Sequence, residues 1–316
     1  MIKEIFPPTD NQSQTLAEAL KHAGADFVAE QVPIFQDITE TDAVRPDLTF
    51  GQIPGYSVIR RGDSKIPLGV VSARYGLSQY KDTLSFLDDL VGEKEALFNS
   101  VAITDDGARI YVSMRAPNSV VFAPGDEIQC YYTASTSHDG TGSIQFMCSP
   151  IHSRTQTILT SLDFGVIKMR HSVHVKNRLA RAAGTIKKMQ DVWANHADSF
   201  VKFAGMPLDD IEAKTYFCML VPGNEDSTEI HPRTQNTRDK LFDIYKVGVA
   251  SQLPSCKGTL LGAFVASLIF GDYYKTIRES IVGRSERDAR IESRLSGSAA
   301  RFKADSFASA LKLMRM

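Results

Sequence analysis

Seven basic side chains and no acidic one lie between residues 168 and 190: Lys168, Arg170, Lys176, Arg178, Arg181, Lys187 and Lys188. His171 and His174 stand among them and add positive charge when they are protonated. A surface with one sign of charge attracts a polyanion, because Lys and Arg neutralise phosphate groups. The segment therefore predicts a nucleic-acid-binding surface. The alternative is that these cations meet the acidic part of the same or a neighbouring chain, or simply keep the surface soluble.

A long helix, predicted over about residues 173–204, must position these cations. Its apolar residues recur at helical spacing, from Val175 and Leu179 to Trp193 and Phe200, and they define one side that faces the core. The basic residues fall on the other side. The candidate nucleic-acid contacts are therefore Arg170, His171, Lys176, Arg178, Arg181, Lys187 and Lys188, with Arg74 and Arg154 as weaker candidates.

Residue types that do acid–base or nucleophilic chemistry also occur together at Ser135, Ser137, His138 and Asp139. Neighbouring residues of a tight hairpin point apart, whereas a catalytic triad needs side chains that converge. We therefore interpret Asp139-Gly140 as a turn and keep His138 and Asp139 as candidate ligand contacts at the hairpin tip. The chain contains no phosphate-loop, zinc-protease, serine-hydrolase or dinucleotide motif. We assign no catalytic residue, expect no metal or cofactor, and lean towards a protein that is not an enzyme.

The composition limits the class of protein. Of 316 residues, 43% are hydrophobic and 23% are charged, as in ordinary globular proteins, which excludes a mostly disordered or fibrous chain. The four cysteines, Cys130, Cys148, Cys218 and Cys256, are scattered, and we expect them to be reduced and mostly buried. The longest strongly apolar stretch, residues 259–270, is shorter than the roughly 20 residues of a membrane span, and the first residues lack an apolar signal core. These features predict a cytoplasmic protein without a membrane segment.

The charge is divided unevenly along the chain. Residues 1–164 hold 12 Lys and Arg against 21 Asp and Glu, a net charge of −9, whereas residues 165–316 carry a net charge of +8. This asymmetry fits a module that binds an anionic partner, and it fits equally well two complementary surfaces that pack within or between subunits.

The elements predicted from hydrophobic spacing give an α+β fold. A short helix over residues 15–29 and an extended segment precede three hairpins, with turns at Gly62-Asp63, Asp106-Gly107 and Asp139-Gly140. A helix over residues 81–92 separates the first two hairpins, and the chain beyond Pro150 is mostly helical, including residues 258–281. We divide the chain into residues 1–50, 51–150, 151–283 and a charged helical tail over 284–316. The aromatic residues of that tail favour docking on the body over stacking on bases.

Several of these segments together resemble one family, the domain of unknown function 932, usually labelled phage/plasmid-like protein. The resemblance runs in order from residue 15 to about residue 280. It includes residues 68–91, the Ser137-His138-Asp139-Gly140 hairpin, Arg170 with His171, and residues 258–278. The Pro-Trp-His-Gly opening that is common in the family is absent. The resemblance implies carriage on phages or plasmids and no established activity.

Two functions follow as hypotheses, beside an enzyme whose site, near His138, His152 and His171, no motif reveals. The first is a nucleic-acid-binding protein of a phage or plasmid, an oligomeric factor that binds or anneals single-stranded DNA in recombination. A strand-strand-helix-strand order followed by a basic helix resembles one class of annealing proteins, which is an analogy of fold and context. The second is a structural or interaction protein that forms a homo-oligomer through its acidic and basic halves. Neither hypothesis involves a membrane.

Overall fold

The structure is a computed structural model that describes residues 15–37, 50–92, 94, 96–158, 167–169, 183–223, 230–277 and 284–315. Within these residues the strands are β1 (Ala29–Asp37), β2 (Phe50–Arg61), β3 (Pro67–Ser72), β4 (Leu97–Thr104), β5 (Arg109–Ala123), β6 (Asp126–Ser137), β7 (Ile144–Cys148), β8 (Ile151–His152) and β9 (Ile167–Met169). The helices are α1 (Leu16–His22), α2 (Tyr80–Thr83), α3 (Phe86–Gly92), α4 (Ala183–Gly205), α5 (Asp210–Leu220), α6 (Pro232–Val247), α7 (Leu260–Ile269), α8 (Glu286–Leu295) and α9 (Ser298–Leu313). This is the predicted α+β class.

The strands form two antiparallel sheets. The smaller sheet has the order β1-β2-β3, and the larger has the order β4-β5-β6-β7-β9, with β8 paired to β6. The three predicted hairpins are confirmed as the pairs β2–β3, β4–β5 and β6–β7. Asp106, Gly107 and Gly140 have positive φ angles of 57°, 96° and 75°, which is the backbone conformation that the Asp-Gly turns were expected to need.

One large apolar core joins the larger sheet to the helices. Alternate residues of β5 and β6 face this core, and α4, α5, α6, α7 and α9 pack against the same cluster. Every residue of α7 is buried, which explains the uninterrupted apolar run of its sequence. The basic second half of the chain is thus built onto the acidic first half through shared hydrophobic packing.

Several helix ends follow the expected local chemistry. The side chain of Thr15 accepts a hydrogen bond from the backbone N–H of Glu18, and Gly24 follows α1 with φ of 64°. Asp209 and Glu212 form a capping box at α5, and Pro232 stands in the first turn of α6. No helix among the described residues is long and apolar enough to cross a membrane.

Three predicted helices differ from the observed ones. Residues 80–92 form two short helices instead of one, because the backbone leaves helical geometry at Leu84 and the Ser85 hydroxyl bonds back to the carbonyl of Asp82. Residues 155–158 lie in the part of the chain predicted to be mostly helical, but they are not helical, and Ile158 forms a bridge to Ile151. The late helix α7 continues into a π turn over Phe270–Tyr274, which ends with the Lys275 N–H donating to the Phe270 carbonyl and not at about residue 281 as predicted.

Candidate functional site

The predicted basic face can be placed only in part. Arg170, His171, Lys176, Arg178 and Arg181 lie outside the described residues, and Lys187 and Lys188 fall within α4, in agreement with the predicted helix. Arg74 and Arg154 are exposed, the first after β3 and the second after β8. The nucleic-acid contacts expected of the basic helix therefore stay a prediction.

The hairpin residues His138 and Asp139 lie beneath the smaller sheet. His138 is 1% exposed and stacks on Tyr80 with ring centroids 4.0 Å apart, with Phe27 against its edge. A Cβ atom on Gly69 would lie only 2.5 Å from Cα of Asp139, so β3 passes directly over the turn. His138 and Asp139 are thus packed under the smaller sheet, whereas Gly140 and Thr141 of the same turn are exposed.

Asp139 holds this turn together. Its carboxylate accepts hydrogen bonds from the Ser137 hydroxyl and the Thr141 backbone N–H, each at 2.8 Å, and from Arg109 Nε at 2.7 Å. Burial by itself raises the pKa of Asp139, but the Thr141 hydrogen bond and the charge of Arg109 outweigh it, so the pKa is lowered. Asp139 is therefore an ionised structural anchor.

Ion pairs continue from this turn to the C-terminal helices. Arg109 also pairs with Glu292 of α8, and Glu292 accepts a second ion pair from Arg284. Arg284 Nη2 in turn lies 2.6 Å from an Asp105 oxygen in the β4–β5 turn. Two arginines and three carboxylates thus connect two hairpin turns to the start of α8.

A second buried polar group fixes the π turn. Asp272 is fully buried, and Lys303 of α9 donates to its carboxylate at 2.9 Å. The backbone N–H of Ile158 donates to the other carboxylate oxygen, and Arg294 Nε donates to the Asp272 carbonyl. These bonds determine where the chain leaves the π turn, just before Lys275.

A basic cleft of about 510 Å³ opens beside this turn. It is lined by residues from four places in the chain: the start of α6, the segment after the π turn, α8 with the residues before it, and the start of α9. Its charged lining residues are Arg233, Lys275, Arg284, Glu292 and Arg301. Because both Arg109 and Arg284 already neutralise Glu292, the cleft retains an excess of positive charge.

The charges of the cleft are held close together. Burial first, and then the neighbouring Arg233, lower the pKa of Lys275, since both disfavour the ammonium form. Arg284 has a side chain that is only 6% exposed, whereas Arg233 and Arg301 are exposed. Closely spaced cations around a cavity produce a positive potential that attracts an anion.

An exposed aromatic residue, which is not itself part of the lining, directly precedes the lining residue Lys275. Tyr274, the residue before Lys275, is 52% exposed, and Lys240 Nζ lies 4.6 Å from the centre of its ring. Lys275 Nζ lies 4.9 Å from the ring centre of Phe302. Cations over aromatic rings beside a basic groove are the groups that a single-stranded nucleic acid uses for phosphate contact and base stacking.

A further buried cluster joins the turn before β6 to the segment before α7. Asp126 accepts hydrogen bonds from the backbone N–H and the hydroxyl of Ser255, and His152 Nε2 lies 3.5 Å from Asp126 Oδ1. The order differs from a nucleophilic triad, in which the histidine stands between serine and carboxylate. His152 and Asp126 are 0% and 1% exposed, and burial raises the pKa of the adjacent Cys256 to about 12, so the cluster is sealed from substrate.

Sequence reasoning did not find the cleft. Its four cations are spread over residues 233–301, and the fold brings them together from separate elements. The available signal was the excess of basic residues from Lys275 to the end of the chain, ten against five acidic ones.

The four cysteines are free thiols, and three are buried as expected, whereas Cys218 is exposed.

Comparison with known proteins identifies the family. Residues 67–288 match the family described as a domain of unknown function, DUF932. No curated protein and no solved structure matches the chain. Because the family match covers more than half of the 316 residues, the chain belongs to the DUF932 family, as its sequence segments predicted.

Proposed function

We propose that this protein binds single-stranded nucleic acid through its basic cleft. One observation carries the proposal: Arg233, Lys275 and Arg301 line the cleft and form no ion pair among the described residues, whereas the lining carboxylate Glu292 is already paired with Arg109 and Arg284. Arg and Lys neutralise phosphates without regard to sequence, so the cleft suits a nucleic-acid backbone.

The exposed ring of Tyr274 favours a single strand over a duplex. Bases of a single strand are free to stack on a protein ring, whereas those of a duplex are already stacked on one another. Tyr274 directly precedes the lining residue Lys275 and is 52% exposed, which supports a stacking role for its ring near the phosphate contacts. The basic face predicted for α4, including Lys187 and Lys188, stays a separate proposal for further phosphate contacts.

The biological role that we propose is binding or annealing of single-stranded DNA in recombination by a phage or plasmid, in the bacterial cytoplasm. Annealing needs bases held in an exposed arrangement and phosphates whose charge is neutralised, and it requires no cofactor. The mass of the protein with and without a DNA strand tests whether it acts as a homo-oligomer.

The first prediction concerns the variant Arg233→Glu/Arg301→Glu. Both side chains are exposed at the cleft, so their reversal should remove phosphate contacts without unfolding the protein. Fluorescence anisotropy with a labelled single-stranded oligonucleotide, titrated at several salt concentrations, measures the effect. We expect weaker binding and a salt slope that is lower by ~1.4, which is ~0.7 for each lost contact with a single strand.

A matched control distinguishes a loss of affinity caused by the cleft from one caused by the overall charge of the protein. Lys81→Glu/Lys246→Glu makes the same charge change at two exposed positions, in α2 and at the end of α6, that do not line the cleft. This control should keep most of the affinity. Equal losses in both double variants would show that only overall charge matters, and the absence of any binding by the unaltered protein at low salt would overturn the proposal.

A further inference from the structure

The basic cleft has a buried floor and an exposed rim. Ala289 and Ser293 are buried and the Arg284 side chain is 6% exposed, so these residues form its floor, whereas Arg233, Ser298 and Arg301 are exposed at its rim. Its volume of about 510 Å³ is in the range of small-ligand sites, roughly 300–1,000 Å³, and exceeds what a phosphate alone needs. This shape suits a group that ends in the cleft with part of the attached molecule.

The charge of the cleft exceeds that of one phosphodiester. Among the described residues, no carboxylate forms an ion pair with Arg233, Lys275 or Arg301. An internal phosphate of a strand carries one negative charge, whereas a phosphate monoester carries about −1.5 to −2 near neutral pH and has three acceptor oxygens. Three cations around one cavity are therefore better matched by a monoester.

A further feature of the lining favours a compact anion. Arg284 Nε is buried and has no hydrogen-bond partner among the described residues, although the rest of its guanidinium pairs with Asp105 and Glu292. The first turn of α9 also lies at the cleft, but its Ala299 N–H already donates to the Ser293 hydroxyl at 3.3 Å, so this helix end is not counted among the donors to an anion. A phosphate oxygen accepts a hydrogen bond from the guanidinium.

We infer that the cleft holds a phosphate monoester at the end of a nucleic-acid strand. This inference rests on the proposed function and adds to it the part of the strand that the cleft recognises. The floor is formed by Arg284, the rim by Arg233 and Arg301, and the terminal nucleoside lies towards Tyr274. Internal phosphates then follow the exposed basic surface outside the cleft.

The test uses three oligonucleotides of one sequence, each with an internal fluorophore: one with a 5′-phosphate, one with a 3′-phosphate and one with hydroxyls at both ends. We expect one phosphorylated end to bind about tenfold more tightly than the hydroxyl ends, which corresponds to ~1.4 kcal/mol. In Arg233→Gln/Arg301→Gln this preference should fall to about onefold, whereas Lys246→Gln should keep it. Adenosine monophosphate in excess should reduce the bound phosphorylated strand to the level of the hydroxyl strand.

The other outcomes are distinguishable. Tight and equal binding of all three strands would overturn the monoester inference and leave single-strand binding in place. Binding of the free mononucleotide that exceeds that of every strand would assign the site to a nucleotide instead of a strand end. If no strand binds at low salt, both this inference and the proposed function are wrong.

Discussion

At the scale of single residues, Asp139 shows how an acid of apparently catalytic type becomes structural. It accepts hydrogen bonds from the Ser137 hydroxyl and the Thr141 backbone and pairs with Arg109, and its side chain is 16% exposed. Its lowered pKa means that folding favours the ionised form. The resulting stability is present above the unfolded pKa of about 3.9 and is lost as the pH falls through the folded pKa.

We therefore expect Asp139→Asn to lower the free energy of unfolding by ~1–3 kcal/mol at pH 7, because the amide cannot replace the charged acceptor. Urea denaturation at pH 7 and at pH 3 measures the effect, and the difference from the unaltered protein should shrink at the lower pH. Asp82→Asn, at an exposed position without an ion pair among the described residues, is the control and should change little. A deficit that is independent of pH would exclude the ionised carboxylate as its cause.

At the scale of elements, the π turn and α9 depend on one buried ion pair. Lys303 and Asp272 are 1% and 0% exposed, and their side chains meet at 2.9 Å. Burial lowers the pKa of Lys303, and the charge of Asp272 opposes that shift. The pair therefore holds α9 to the turn at the expense of desolvating both charges.

Lys303→Met should destabilise the protein by ~3–5 kcal/mol, because it leaves the Asp272 carboxylate buried without its partner. Asp272→Asn/Lys303→Met removes both charges and should recover a large part of that loss, as measured by chemical denaturation. The single variant Asp272→Asn completes the comparison. If the double variant loses as much stability as Lys303→Met and Asp272→Asn lose when their effects are added, the two side chains act independently of each other.

The same scale shows what the sequence could predict. Turns at Asp106-Gly107 and Asp139-Gly140 and the cap at Thr15 depend on residues a few positions apart, so local patterns were sufficient. The break at Leu84 goes with a local bond from the Ser85 hydroxyl to the Asp82 carbonyl, and the π turn over Phe270–Tyr274 has tertiary contacts from Lys303 and Arg294; the spacing of apolar residues encodes neither feature. The cleft was missed because it depends on the convergence of four cations that are distant in sequence. His138 was kept as a candidate ligand contact because its burial under β3 also depends on residues distant in sequence.

At the scale of the whole molecule, the strand-rich and helical parts share one core. Phe307 of α9 packs against Phe200, Phe203 and Phe264, and the same cluster continues to Phe146 and Tyr132 in the larger sheet. The domain boundaries predicted at residues 150 and 283 stay a prediction, because a continuous core does not by itself define folding units.

The shared core predicts one unfolding transition. Trp193, the only tryptophan, lies in α4 and reports on the helical part by fluorescence, whereas the amide I infrared band reports on the sheets. We expect both signals to change at the same urea concentration, and Phe307→Ala to lower both midpoints together through a loss of ~3–5 kcal/mol. Two separated transitions, with only the tryptophan signal shifted by Phe307→Ala, would instead support independent units on either side of residue 150.

The ion pairs between the hairpin turns and α8 also have a consequence for inheritance. Arg109 of the first half pairs with Glu292 of the second, and Arg284 of the second half pairs with Asp105 of the first. A genetic crossover between two relatives anywhere from residue 139 to residue 284 would bring together partners from different parents. We therefore expect these charged residues to be inherited together. A recombinant protein that folds should keep all of them from one parent or have all of them replaced.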